Sequence, residues 1–200
     1  ADREAAELEA QRLAAELVQH DRMRVHEADI SPPDMGGQSC WSIDKYLSLT
    51  PARVYDPTCG AGCFPMAARE QWPGAEVIGS EARDEESPHV AANCDDYWIG
   101  DCFEAPARIA TPGSFDLVIT NPPFSLISLL VPYCLTLVRP GGLVAFVCRL
   151  TWGDKPEADR LWRAPYDIAH IHEFAGRWRF RVGINPATGK KYGVDSVGYR

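Results

Sequence analysis

Asn121, Pro122, Pro123 and Phe124 form the stretch best equipped for chemistry. An Asn side-chain oxygen and a nearby backbone carbonyl can both accept hydrogen bonds from one exocyclic NH2, and a following aromatic ring can stack on the flat group that carries it. Two consecutive prolines fix φ twice and remove two backbone donors, so neither helix nor sheet continues through them. The residue before a proline is pushed out of the helical region, which places Asn121 in an extended conformation. Upstream, Phe115-Asp116-Leu117-Val118-Ile119-Thr120 is an apolar run rich in β-branched residues and reads as a buried strand. Asn121 thus stands at a strand's carboxyl end, where open α/β sheets bind ligands.

A second constellation lies earlier in the chain. Arg53 to Asp56 reads as a first strand, Asp56-Pro57-Thr58-Cys59-Gly60-Ala61-Gly62 as a loop, and a helix starts near Cys63. The glycines allow a tight turn and close approach to a ligand. The helix amino terminus favours a carboxylate, and Asp56 can receive an ammonium, so the loop suits both ends of an amino acid. Glu76 to Glu81 is a second strand ending in an acid, placed as in dinucleotide folds where an acid takes ribose hydroxyls. Tyr97 to Phe103 is the third strand and its end. Asp84-Glu85-Glu86 reads as a solvated helix start.

Asp-Pro-x-Cys-Gly-x-Gly followed by Asn-Pro-Pro-Phe after an Asp-Leu-Val-Ile-Thr strand resembles the motif pair of S-adenosylmethionine-dependent amino methyltransferases. These include N6-adenine methyltransferases of DNA and RNA and glutamine methyltransferases of proteins. The resemblance covers roughly residues 29–200. It implies a Rossmann-like class I α/β fold, with a mostly parallel seven-stranded sheet, an antiparallel last strand and helices on both faces. It implies S-adenosylmethionine held by Asp56, Pro57, Cys59, Gly60 and Gly62 at its methionine end. Glu81 would take the ribose, with Ala82 and Arg83 near the adenine. Asp101 would hold the adenine NH2, with Cys102 and Phe103 beside the ring. Ser31, Pro32 and Pro33 match the segment that folds over the methionine end. Asn121, Pro122, Pro123 and Phe124 carry the catalytic role, Asn121 also facing the cofactor.

The acceptor this resemblance favours is adenine in DNA. Phe stands in the fourth motif position, and Arg149-Leu150-Thr151-Trp152 and a basic hairpin resemble stretches of small phage-type adenine methyltransferases. Adenine in RNA and protein glutamine are the enzymatic alternatives, the latter group more often having Tyr after the prolines. A non-catalytic cofactor-binding scaffold for a partner methyltransferase is the alternative of another class, although such proteins usually lose the Asn or the glycine loop. A nicotinamide-binding domain fits the βαβ pattern but leaves Asn-Pro-Pro-Phe without a role.

The remaining elements must position these residues. Residues 2–19 predict an amphipathic helix, so 1–28 is a helical extension, and a site for a protein partner or oligomer contact, ahead of a catalytic domain over 29–200. Residues 29–40 read as irregular and Trp41 to Leu49 as a short helix. Leu126 to Leu137 predicts a helix despite Pro132, Arg139 to Gly142 a turn, and Leu143 to Cys148 a buried parallel strand. Lys155 to Trp162 predicts a helix and Ile168 to Phe174 a sixth strand. Residues 176–193 predict a hairpin with its tip near Asn185 to Gly189, and Val194 to Tyr199 the last strand. Arg177, Trp178, Arg179, Arg181, Lys190 and Lys191 are its candidate nucleic-acid contacts. No separate target-recognition domain is apparent.

Two hundred residues suit one domain. Residues 1–148 carry 10 Lys and Arg against 22 Asp and Glu, whereas 149–200 carry 10 against 6, so a nucleic acid would be met by the last quarter. Seven scattered cysteines suggest reduced thiols in a cytoplasmic protein. Zinc at Cys59 and Cys63, or a metal pair at His170 and His172, lacks convincing further ligands. No segment has the length and apolarity of a membrane span, and the charged first thirty residues argue against a signal peptide. Without a polar tail at either end, Ala1 or Arg200 is expected to be a trimmed terminus.

Overall fold

Side chains on a strand alternate between faces, and here both faces are apolar. Val54, Val77 and Leu117 point to one layer of helices, whereas Tyr55, Ile78 and Val118 point to the other. Each such side chain, fully buried, is worth about 1.5–3 kcal/mol relative to exposure. The computed structural model describes residues 33–149, 158, 168–172, 177–178, 183–184, 191–192 and 197–198. The predicted helix over 2–19 and most of the helix over 155–162 lie outside them, with only Ala158 described, helical and buried.

The order is α1 (Pro33–Leu47), β1 (Arg53–Asp56), α2 (Cys63–Gln71), β2 (Glu76–Glu81), α3 (Ser87–Asn93), β3 (Asp96–Ile99), β4 (Phe115–Thr120), α4 (Ile127–Leu137) and β5 (Val138–Phe146). The strands form one parallel sheet in the order β3-β2-β1-β4-β5. On one face α1, α2 and α3 supply Met35, Phe64, Ala67 and Val90. On the other, α4 supplies Leu130, Cys134 and Leu137, and Tyr55 stacks on Phe115 at 5.1 Å. Asp116 locks the sheet's lower edge: it accepts the amides of Ala52 and Arg53, both at 2.8 Å, and the Arg139 guanidinium. No helix among the described residues is long and apolar enough to cross a membrane.

Three differences from the sequence reading have physical causes. The irregular stretch expected up to Cys40 is helical from Pro33, because Gly36 is a packing device and not a breaker. A Cβ there would lie 2.3 Å from the Cys63 carbonyl oxygen, so only glycine lets α1 lie against α2. The turn expected at 139–142 belongs to β5, which starts at Val138. Val138 pairs with Phe115 and Leu143 with Leu117, so the intervening residues bulge out of register.

The sixth strand expected at 168–174 is absent from residues 168–172, which are irregular and exposed. Their contact is the ring of Tyr46, on which His170 stacks at 4.8 Å, and ring stacking supplies no backbone ladder. Among the described residues the sheet has five strands, all parallel. The antiparallel pieces pair with each other: β6 (Arg177–Trp178) with β9 (Val197–Gly198), and β7 (Gly183–Ile184) with β8 (Lys191–Tyr192). The second pair brackets the predicted hairpin tip.

Neighbouring glycines in α1 give a sharp test. A Cβ on Gly37 would meet nothing within 4 Å, so Gly37→Ala should stabilise the protein by up to ~1 kcal/mol through helix propensity. Gly36→Ala should destabilise it by ~1–3 kcal/mol through overpacking. Urea unfolding midpoints of the two variants should move in opposite directions.

Candidate active site

Because the first four strands run parallel, their carboxyl ends gather at one edge. Asp56 ends β1, Glu81 ends β2, Asp101 follows β3 and Asn121 follows β4. Register makes the central pair coincide: Val54 lies beside Leu117 and Tyr55 beside Val118, which brings the loop after β1 against the residue before the prolines. There the Thr58 and Thr120 hydroxyls are 2.5 Å apart, and Thr58 Oγ1 also donates to the Asn121 carbonyl at 3.4 Å.

The glycine loop turns as its composition demands. Gly60 and Gly62 have φ of 54° and 81°, the left-handed region in which a side chain is strained. Gly62 is the N-cap of α2 and offers no side-chain acceptor to its first turn. Cys59 turns its thiol inward, donating to the Asp56 carbonyl at 3.3 Å, and burial pushes its pKa well up. Its side chain therefore braces the loop from below. Pro57 is buried at the head of the same turn.

Asp56 is almost completely buried, at 1 % exposure. Its Oδ1 accepts the Thr58 amide at 3.0 Å, while Oδ2 has no hydrogen-bond partner among the described residues. Burial pushes its pKa up to about 7; the Thr58 amide and the nearby Thr120 hydroxyl pull it down, and the charge of Glu81 adds to the rise. A buried acid lacking a partner on one oxygen suits a cationic ligand group.

Glu81 is committed on both oxygens. Oε2 accepts the Gly60 amide at 2.7 Å, and Oε1 accepts the Arg83 amide at 3.0 Å and Arg83 Nε at 2.8 Å. The Arg83 side chain lies over the loop, 3.6 Å from where a Gly60 Cβ would stand. Sequence reading missed this role for Arg83, since pattern alone cannot show a side chain folding back onto its own strand end. Ala82 is exposed beside it. Asp101 is exposed, and its Oδ1 accepts the Phe103 amide at 3.0 Å, capping the turn over Cys102–Glu104. Cys102 is buried and its carbonyl accepts the Tyr133 hydroxyl at 2.9 Å, whereas Phe103 is half-buried, its ring 4.9 Å from that of Tyr133.

β4 stops at Thr120 as the prolines require. Asn121 and Pro122 are buried, Pro123 and Phe124 half-buried. The Leu126 amide donates to the Pro123 carbonyl at 2.8 Å, closing a turn that aims Phe124. The Arg149 guanidinium lies 4.9 Å from the Phe124 ring centre. Of the predicted nucleic-acid contacts, Arg177 and Trp178 form β6 and Lys191 begins β8, while Arg179, Arg181 and Lys190 lie outside the described residues, as do Ser31 and Pro32. None of the seven cysteines forms a disulfide, and no three potential metal ligands gather among the described residues.

No family model matches the sequence, and no curated protein is matched by it. Solved structures do match. A candidate RNA methyltransferase from Pyrococcus horikoshii aligns with a TM-score of 0.56 over 86% of this chain and 88% of its own, at 20% identity. The methyltransferase subunit of a type I restriction-modification system from Streptococcus thermophilus aligns at 0.49, over 58% of this chain and 33% of its own, at 13% identity. A ribosomal protein L11 methylase from Lactobacillus delbrueckii subsp. bulgaricus aligns at 0.47, over 63% and 65%, at 20% identity. The chain thus spans a third of the restriction-modification subunit and just under two thirds of the L11 methylase. The first alignment, covering most of both chains, decides the architecture.

The chain has the class I methyltransferase fold. Here its first two strands end in Asp56 and Glu81, and its third and fourth are followed by Asp101 and Asn121.

The Asp56 titration has a definite sign. The folded chain holds this proton more tightly than the unfolded one, so ligand-free stability falls as pH rises from about 4 to about 7. Asp56→Asn removes that cost. It should be the more stable form above pH 7, by up to ~4 kcal/mol, with the advantage shrinking towards pH 4. Urea unfolding of both proteins across that range measures it.

Proposed function

We propose that this protein is an S-adenosylmethionine-dependent methyltransferase acting on the exocyclic N6 of adenine, in DNA by preference. The observation carrying the proposal is the junction of Asn-Pro-Pro-Phe with the glycine loop through Thr58. The cofactor's needs fit the residues present: Asp56 Oδ2 suits an ammonium, the loop of Gly60 and Gly62 admits close backbone approach, and Glu81 stands where ribose hydroxyls would be received. When bound, S-adenosylmethionine supplies a methyl group on a sulfonium, a good leaving group. Cys102 and Phe103 flank the position proposed for its adenine, which Asp101 would contact.

Asn121 and the Pro122 carbonyl provide the rest. An aromatic NH2 is a poor nucleophile because its lone pair is delocalised. Two acceptors on its hydrogens favour a more tetrahedral nitrogen as the bond forms, and fixed acceptors need no reorganisation during the step. Phe124 stacks on the base once it has left the duplex. Arg149 over that ring puts a cation beside the acceptor's entry, and the basic residues of 177–191 supply further charge for a nucleic-acid backbone. Phe in the fourth motif position supports a nucleobase over glutamine.

Asn121→Ala should lower methyl transfer by ~10^2–10^3-fold or more, while S-adenosylhomocysteine binding, measured by calorimetry, changes little. Near-normal turnover by this variant would remove Asn121 from the reaction.

A further inference from the structure

We propose that Thr58 is a positioning residue that ties the cofactor loop to the catalytic Asn121-Pro122 peptide through its hydroxyl, an inference that rests on the proposed methyl transfer for its catalytic consequence. Thr58 joins the carboxyl ends of the first and fourth strands through side-chain groups. Its amide is held by Asp56 Oδ1 at 3.0 Å, and its hydroxyl meets Thr120 Oγ1 at 2.5 Å and the Asn121 carbonyl at 3.4 Å.

Proton accounting orders the contacts. A hydroxyl has one proton, so while Thr58 donates to the Asn121 carbonyl, Thr120 supplies the proton between the two hydroxyls; when Thr120 turns its proton to Asp56, Thr58 supplies that proton and releases the carbonyl. The short hydroxyl pair holds the two loops together, and the longer carbonyl contact sets the direction of the Asn121-Pro122 peptide. From that peptide to the Pro122 carbonyl little freedom remains. The peptide bond is planar, the Pro122 ring locks φ, and Pro123 restricts ψ of the residue before it. Fixing the Asn121 carbonyl therefore fixes the Pro122 carbonyl, the second acceptor for the reacting NH2. Because Asp56 holds the other side of Thr58, a change at the cofactor loop reaches the Pro122 carbonyl through one residue.

Thr58→Val keeps the shape and removes the hydroxyl; Thr58→Ser restores it. Thr58→Val should lower kcat about tenfold or more, as loss of alignment does, with the S-adenosylhomocysteine dissociation constant within about threefold of the parent, and Thr58→Ser should recover most of kcat. Thr120→Val removes only the hydroxyl pair, so it should lower kcat less than Thr58→Val, and the double variant should be no worse than Thr58→Val alone. Amide hydrogen exchange over Phe124–Ile127 should quicken in Thr58→Val and return to the parent rate in Thr58→Ser.

Unchanged kcat and exchange in Thr58→Val would overturn the proposal. So would loss of ligand affinity in step with kcat, which would make Thr58 a residue of the cofactor loop alone. If the parent transfers methyl to no acceptor, the proposed function fails, and the exchange comparison still decides whether Thr58 orders the motif.

Discussion

Parallel pairing of β1 with β4 is the constraint on which everything at the sheet's mouth depends. Two adjacent parallel strands end at the same edge, and their register makes the following loops meet. One loop carries a buried acid and two left-handed glycines; the other carries an amide and two prolines. Neither loop is a site without the other. Asp116 secures the arrangement from the opposite end by taking the amides that lead into β1 and the Arg139 guanidinium of β5. Burial pushes its pKa up, but Arg139 and these two amides outweigh that and hold it below the usual carboxylate range.

The two buried acids of this region illustrate opposite uses of burial. Asp116 is satisfied by amides and a cation, and it contributes structure. Asp56 is deeper and less satisfied, and the protein bears the resulting cost. That contrast, more than the glycine pattern, separates the edge proposed to face the cofactor from the opposite edge of the sheet. Arg83 adds a further feature, for its guanidinium covers Glu81 and the loop where a ligand would approach.

β1, β2, β4 and α4 were legible in the sequence because β-branched runs bounded by turn residues leave few alternatives. The edge residues Asp56, Glu81, Asp101 and Asn121 were legible because each stands at, or just past, the carboxyl end of its strand. What was not legible depends on contacts between distant segments. Gly36 looked like a breaker until Cys63 was seen beside it. The alternation of 168–172 pairs with no strand among the described residues. Thr58 and Thr120 are unremarkable polar residues in sequence, and only register shows that their hydroxyls meet. Cys59 matched a motif position, yet its thiol points into the core, so its place in the loop concerns size and not contact.

The most direct test of the central claim is the identity of the methylated product. Labelled S-adenosylmethionine would be offered with unmethylated genomic DNA, total RNA and a protein extract, and the labelled nucleosides or residues identified after digestion. The account predicts N6-methyladenine in DNA, made by the parent protein and not by Asn121→Ala. Label confined to RNA or to glutamine would contradict the assigned acceptor, and cofactor binding with no transfer to any acceptor would contradict the assigned reaction.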